Sequence, residues 1–221
     1  TGYISVPFTI APAVLTLAAD SAEKTYGAAD PALTWRLSGL LGTDTAPAVT
    51  GTLARAAGEN AGSYAITQGT LSAAVTADYT AAFVPGTLQV NKAASVLNAS
   101  APAAVMAGKE VTVTVTALNS SVTTPVSGAS QPGLEGLTVT APQGFILKTA
   151  LHSVGSNAFA ATYQIPEGAS GEAVFTASYA GAANYDAAAD SRAAVNVTPK
   201  NTVDMTLTPD KTAGITYGDS V

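Results

Sequence analysis

Apolar and polar positions alternate with a period of two along much of this chain, in short runs broken by glycine, proline, aspartate and asparagine. Leu33, Trp35 and Leu37 alternate with Thr34, Arg36 and Ser38. Val111, Val113 and Val115 alternate with Thr112, Thr114 and Thr116, and Phe175, Ala177 and Tyr179 with Thr176 and Ser178. Side chains on a strand point alternately to its two faces, so each run reads as a half-buried strand. Further strands are expected around 49–53, 64–66, 137–140, 145–147, 152–154, 158–165 and 193–197. Turn chemistry separates them: Tyr26-Gly27, Asp30-Pro31, Gly42-Thr43-Asp44, residues 58–62, Pro166-Glu167-Gly168 and residues 181–185. A residue before proline is pushed out of the helical region, which makes Asp30 extended or turn-forming. Residues 120–136, rich in Ser, Thr, Pro and Gly, read as a loop with at most a short edge strand. Strands recurring every 8–12 residues predict an all-β protein, with a β-sandwich in its second half.

Three places repeat one logic, in which an extended run ends, a few small or polar residues follow, and a new strand begins. They lie near 11–13, 91–94 and 198–201, about 80 and about 107 residues apart. They divide the chain into the last strand of one unit (1–13), a β domain (14–92), a β-sandwich (94–198) and the truncated start of a further immunoglobulin-like unit (200–221). In that tail Tyr217-Gly218-Asp219 occupies the place of Ala107-Gly108-Lys109, and a tail so short is expected to be poorly ordered or to pack on a neighbour. Linkers of two to four residues, stiffened by Pro12 and Pro199, predict a semi-rigid rod of stacked units, each with its own core.

Composition narrows the function. The 221 residues contain no cysteine, so no disulfide supports the cores. Charged residues make up 11%, with a net charge of -6, which argues against nucleic acid and anionic membrane as partners. Mean hydropathy is positive at +0.28, but the apolar content is largely scattered alanine. No run approaches the ~18 apolar residues of a membrane-spanning helix.

Several blocks are familiar in kind and order: TYGAADPALTW, SGLLGTD, GTLARAAGENAGSYAITQGTL and YTAAFVPGTLQV. They resemble the bacterial MBG-type domain, over about 14–92. That resemblance implies a small all-β tandem module of secreted or surface-anchored bacterial proteins, adhesins above all, and it brings no catalytic residues. The segment FTASYAGAANYDAAADSRAAVNV resembles the closing strands of bacterial immunoglobulin-like (Big-type) repeats, over about 94–198. The antibody-type cysteine pair and core tryptophan are absent from that segment.

The candidates for chemistry are few. A Ser-His-Asp triad would need the single histidine, His152, which has no motif around it. Asp20, Glu23, Asp30, Asp44, Glu59 and Asp78 all lie near turns of the first domain, where carboxylates ordinarily cap turns. A glycosidase would need two of them to meet. Calcium at a domain joint would draw on Asp186, Asp190 and Asn184, with Asp204 and Asp210 beyond, but no Asp-rich calcium loop is present. Trp35 shares the face of Leu33 and Leu37, which favours a core role over a sugar-stacking platform. Tyr64 resembles a corner tyrosine that tethers a loop through its hydroxyl. Tyr179 and Tyr185 read as packing residues before they read as an exposed aromatic pair. With six lysines and no motif for it, an intramolecular lysine–asparagine or lysine–aspartate cross-link is the weaker reading.

The expectation is a non-enzymatic protein with no catalytic, cofactor or metal residues. It is a spacer in the stalk of an extracellular bacterial surface or secreted repeat protein, an adhesin, presenting a distal functional domain. Its partners are then neighbouring repeats of the same chain, with a host glycan or protein as a further partner. The alternatives are a glycan- or host-protein-binding module, and the accessory region of a large secreted glycan-active enzyme.

Overall fold

A computed structural model describes residues 8–120 and 132–200. The partial units expected at the two ends fall outside these residues up to 7 and from 201. So does most of the 120–136 loop. The described residues form seventeen strands and no helix, which makes the fold all-β, as the alternation predicts.

The N-terminal half contains β1 (Ala13–Ala19), β2 (Ala22–Thr25), β3 (Trp35–Ser38), β4 (Val49–Thr50), β5 (Ala54–Arg55), β6 (Gly62–Thr67), β7 (Ser72–Ala73), β8 (Tyr79–Val84) and β9 (Gly86–Asn91). One sheet has the order β3-β1-β8 and a second β2-β9-β6-β5, while β4 and β7 form a small pair. The chain runs from β1 into β2 and from β8 into β9, so two long parallel paths cross together from the first sheet to the second. The crossing points are Asp20-Ser21 and Pro85. Proline has no N–H to give the ladder, so Pro85 ends one sheet cleanly. Gly86 permits the close approach, because a Cβ there would lie 2.8 Å from the Asp20 carbonyl oxygen. Leu15 and Leu17 point inward beside Leu71 and Ala73, with Trp35, Leu37 and Phe83 packed around them.

The C-terminal half contains β10 (Ser95–Ser100), β11 (Ala104–Met106), β12 (Glu110–Asn119), β13 (Leu137–Thr140), β14 (Ile146–Ser153), β15 (Ala158–Gln164), β16 (Gly171–Tyr179) and β17 (Ala188–Thr198). Its two sheets have the orders β10-β12-β15-β14 and β11-β17-β16-β13. This is the strand arrangement of an immunoglobulin-type sandwich, with the first strand divided between both sheets at Ala101-Pro102-Ala103. Val111 and Val113 of β12 are buried in one cluster with Phe175 of β16 and Val195 of β17, where each apolar side chain contributes about 1.5–3 kcal/mol. Phe175 lies between Phe145 and Tyr163, with ring centroids 5.4 and 5.3 Å away. The two strands expected at 145–147 and 152–154 are one, β14, whose pairing with β15 shifts register twice. Those irregularities break the alternation that would have marked it as continuous.

Tyr179 is buried, and its hydroxyl has no hydrogen-bond partner among the described residues. An unsatisfied buried hydroxyl costs about 1–3 kcal/mol. Tyr179→Phe is therefore expected to leave stability unchanged or raise it. A urea midpoint lowered by more than the equivalent of about 1 kcal/mol would mean that the hydroxyl is bonded after all.

Candidate functional site

Three residues, Lys92, Ala93 and Ala94, separate β9 from β10. The core does not stop there. A single cluster of buried side chains runs from Tyr26, Ile66, Leu88 and Val90 through Ala93 to Leu97, Val115, Phe159, Ala177 and Tyr185. The expectation that each unit has its own core is met only in part: each half has a cluster of its own, and the two share a third at their joint. The short linker brings the end of β9 onto the 181–187 loop of the sandwich, and small residues at 93 and 94 allow close contact.

Hydrogen bonds lock this contact. The Ala93 N–H donates to the Asn184 carbonyl oxygen and the Asp186 N–H donates to the Ala93 oxygen, both at 3.0 Å, so that Ala93 and Tyr185 pair as a parallel bridge. The Ala61 N–H donates to Asn184 Oδ1 at 2.8 Å, and Asn184 Nδ2 donates to Asn60 Oδ1 at 2.9 Å. Lys92 Nζ donates to the Ala182 oxygen at 2.9 Å. The Tyr26 and Tyr185 rings, 2% and 3% exposed, meet edge to face at 5.4 Å. Tyr26 is placed by a turn in which the Ala28 N–H donates to the Thr25 oxygen, with Gly27 at φ +85°, a conformation that favours glycine.

A ring of charges holds the loop that supplies Asn60 and Ala61. Lys24 Nζ donates to Asp30 and Glu59, each at 2.6 Å, and Arg55 donates to the same two carboxylates. The Lys24 side chain is almost fully buried, so its charge requires these partners. Burial pushes the Lys24 ammonium down, but the bonds and charges of Asp30 and Glu59 outweigh it and raise its pKa. Bonds from Arg55 and then Lys24 hold Asp30 below the usual carboxylate range, and bonds from Lys24 and then Arg55 do the same for Glu59. Tyr64 lies under Arg55 and donates its hydroxyl to the Asn60 carbonyl oxygen at 2.7 Å, tethering the loop as a corner tyrosine does.

The signs of these shifts predict a pH dependence. The lowered carboxylates stabilise the fold fully above their unfolded values of about 4, and that stability is lost as pH falls through the lowered values. The raised Lys24 contributes fully below about pH 10 and is lost as pH rises through its raised value. Both carboxylates are more than a third exposed (39% and 36% for Asp30 and Glu59), so solvent screening keeps the effect modest. The acid-side fall in melting temperature should be shallower in Asp30→Asn/Glu59→Gln than in the parent chain. Parallel acid arms in the two proteins would show that the ring contributes nothing measurable.

The other sequence candidates are dispersed. Of the six turn carboxylates, Asp30 and Glu59 meet, but across Lys24 and Arg55, which leaves neither poised as an acid or a nucleophile. Asp20 pairs with Arg36, Glu23 accepts from Asn91, and Asp44 accepts from the Tyr79 hydroxyl. Asp78 is exposed at the N-terminal pole. His152 is exposed in β14, with Nδ1 3.0 Å from the Ala150 oxygen. Trp35 is half-buried against the Leu15 and Leu17 cluster. Tyr179 and Tyr185 are both core residues. Among the described residues no three His, Asp or Glu side chains are grouped to hold a metal ion; Asp204 and Asp210 lie outside these residues. A cleft of about 300 Å³ opens beside Leu15, Leu40, Asp44, Pro47, Asp78 and Tyr79.

Residues 15–89 match the family model of the MBG domain, YGX type. No curated protein matches the chain at a significant level. Among solved structures, surface layer protein SbsC domains 4–9 is similar at 14% identity and a TM-score of 0.34, covering 66% of this chain and 19% of that one. InvD of Yersinia pseudotuberculosis is similar at 16% identity and a TM-score of 0.33, covering 87% and 60%. The endo-fucoidan hydrolase MfFcnA4, of glycoside hydrolase family 107, is similar at 12% identity and a TM-score of 0.30, covering 71% and 23%. The chain thus spans from about a fifth to three fifths of these proteins' lengths. Likenesses this low carry no functional implication.

Proposed function

We propose that this chain is a non-catalytic spacer, a segment of the stalk of an extracellular bacterial surface or secreted repeat protein of the adhesin kind. It holds a distal functional region away from the cell. The MBG-type domain at about 14–92 and a bacterial immunoglobulin-like repeat at about 94–198 are its two complete units, and the repeats beside them are its partners. The observation that carries this reading is the joint at Ala93. A three-residue linker, a continuous apolar core and a set of hydrogen bonds fix one half against the other, which is what a stalk requires and a flexible tether does not. The reading needs no cofactor and no metal.

Residual dipolar couplings measured on the whole chain test it directly. One alignment tensor should fit both halves, and two tensors differing in magnitude would mean that the joint swings freely and the spacer reading fails. The cleft beside Asp44 and Tyr79 favours the second reading, a glycan- or protein-binding module. A screen of glycans and extracellular host proteins, with and without calcium, decides between them: a saturable hit sinks the pure spacer, and a blank leaves it standing.

A further inference from the structure

The joint at Ala93 has an unfilled counterpart at the opposite pole of the first half. Residues 77–79 read Ala-Asp-Tyr and residues 183–185 read Ala-Asn-Tyr. One backbone contact recurs around them, opening a parallel ladder at the first site and standing as an isolated bridge at the second. The Ala13 N–H donates to the Asp78 oxygen at 2.8 Å, as the Ala93 N–H donates to the Asn184 oxygen at 3.0 Å. Ala13 pairs in parallel with Tyr79, as Ala93 pairs in parallel with Tyr185. Each tyrosine hydroxyl bonds within its own half, Tyr79 to Asp44 and Tyr185 to Asn119.

The surroundings differ in one respect. At the joint, Ala93 and Tyr185 are covered by the unit that comes before. At the N-terminal pole, Ala13 and Tyr79 are half-buried and Asp78 is exposed. Apolar side chains stand open around them: Phe8 is 86% exposed, Ile10 81% and Leu41 60%. Between Ile10, Pro12, Leu41 and Asp78 lies a shallow cleft of about 280 Å³.

From this correspondence we infer that the Ala13, Leu41 and Asp78 surface is a docking site for one kind of partner, an MBG-type β unit placed before Ala11. In that complex the Asp78 carboxylate accepts the main-chain N–H of the partner's turn, the counterpart of Ala61, as Asn184 does at the existing joint. An aromatic residue of the partner, the counterpart of Tyr26, covers Leu41 and Ile10. The surface is thus one half of a reusable connector whose other half is the Tyr26 and Asn60-Ala61 face. The inference rests on the spacer reading and specifies how successive units of the rod engage.

A tandem duplication of residues 11–90 within the full chain tests it. The duplication gives the upstream copy a downstream neighbour that carries Asp78. Hydrogen exchange at the Ala61 amide of the upstream copy should be at least tenfold slower than in the same protein with Asp78→Ala in the downstream copy, while Asp78→Asn should keep the protection. Equal rates in all three proteins overturn the inference. The downstream copy's own Ala61 amide, bonded to Asn184, is the internal control. If it is protected and the upstream one is not, this inference fails and the spacer reading stands; if neither is protected, the joint itself has failed. A variant of the unduplicated chain tests the chemistry even if the duplicated protein does not fold. Asn184→Asp should retain Ala61 protection and Asn184→Ala should lose it. Loss in both would mean that an aspartate cannot take this role, and the inference falls.

Discussion

Replacing Tyr185 by alanine is expected to cost about 3–5 kcal/mol, the range for deleting a large buried aromatic ring, and to uncouple the two halves of the molecule. The ring is 3% exposed and belongs to the cluster that both halves share. It meets Tyr26 edge to face, a contact that adds about 0.5–1.5 kcal/mol beyond the area buried. Deleting it leaves a cavity at the joint where neither half can close in without breaking the Ala93 bridge. Trp35 is the sole tryptophan and sits in the N-terminal cluster, so its fluorescence reports on that half, while far-UV circular dichroism reports on both. In the parent chain the two signals should change together on urea unfolding, because the shared core makes the halves one cooperative unit. In Tyr185→Ala they should separate, with the less stable half unfolding first. Tyr185→Phe keeps the ring and loses the bond to Asn119, so it should cost about 1 kcal/mol and leave the signals coincident. Separate transitions already present in the parent chain would rule out a shared core as the basis of the joint.

Phe175→Ala should produce a loss of similar size by a different route. Phe175 is fully buried at the centre of the sandwich, among Val111, Val113, Ile165 and Val195. Phe145, just before β14, and Tyr163 of β15 pack on its ring, and β16 itself is held by ladders on both edges, so the site cannot collapse to fill the gap. The expected cost is about 3–5 kcal/mol. Phe175→Leu, which retains most of the volume, should cost appreciably less. Urea midpoints converted with a common slope measure both variants. Equal losses from the two would show that the ring contacts, and not the volume, matter at this position.

How much of this was legible beforehand depended on the range of the interaction. The alternation at Val111, Val113 and Val115 marked β12 directly, and that at Leu33, Trp35 and Leu37 put Trp35 on a buried face. The strand pattern of the second half gave the sandwich. Where alternation failed, so did the reading. β14 looked like two strands because its register shifts twice against β15. Lys24 gives no sign of burial in the sequence, since its partners Asp30 and Glu59 lie on two other segments. The sequence marks the joint at 91–94 as a short linker, but gives no local sign of the residues that lock it. Asn60 and Asn184 are 124 positions apart, and in sequence Asn184 stands out only as a candidate calcium ligand. One signal was available: the recurrence of Ala-Asp-Tyr at 77–79 and Ala-Asn-Tyr at 183–185, each just before a strand.

The sequence alone determined the fold class, the position of most strands and the shortness of the connection near Ala93. Period-two patterning, proline and glycine act locally, and their effects can be read residue by residue. Only the tertiary structure decided that β1–β2 and β8–β9 cross between sheets side by side, that four charges close into a ring behind the 58–61 loop, and that Tyr26 and Tyr185 meet in a cluster that both halves share. Each of those depends on which distant segments come together, and the free energy that selects them belongs to the assembled surfaces and not to any single stretch of chain.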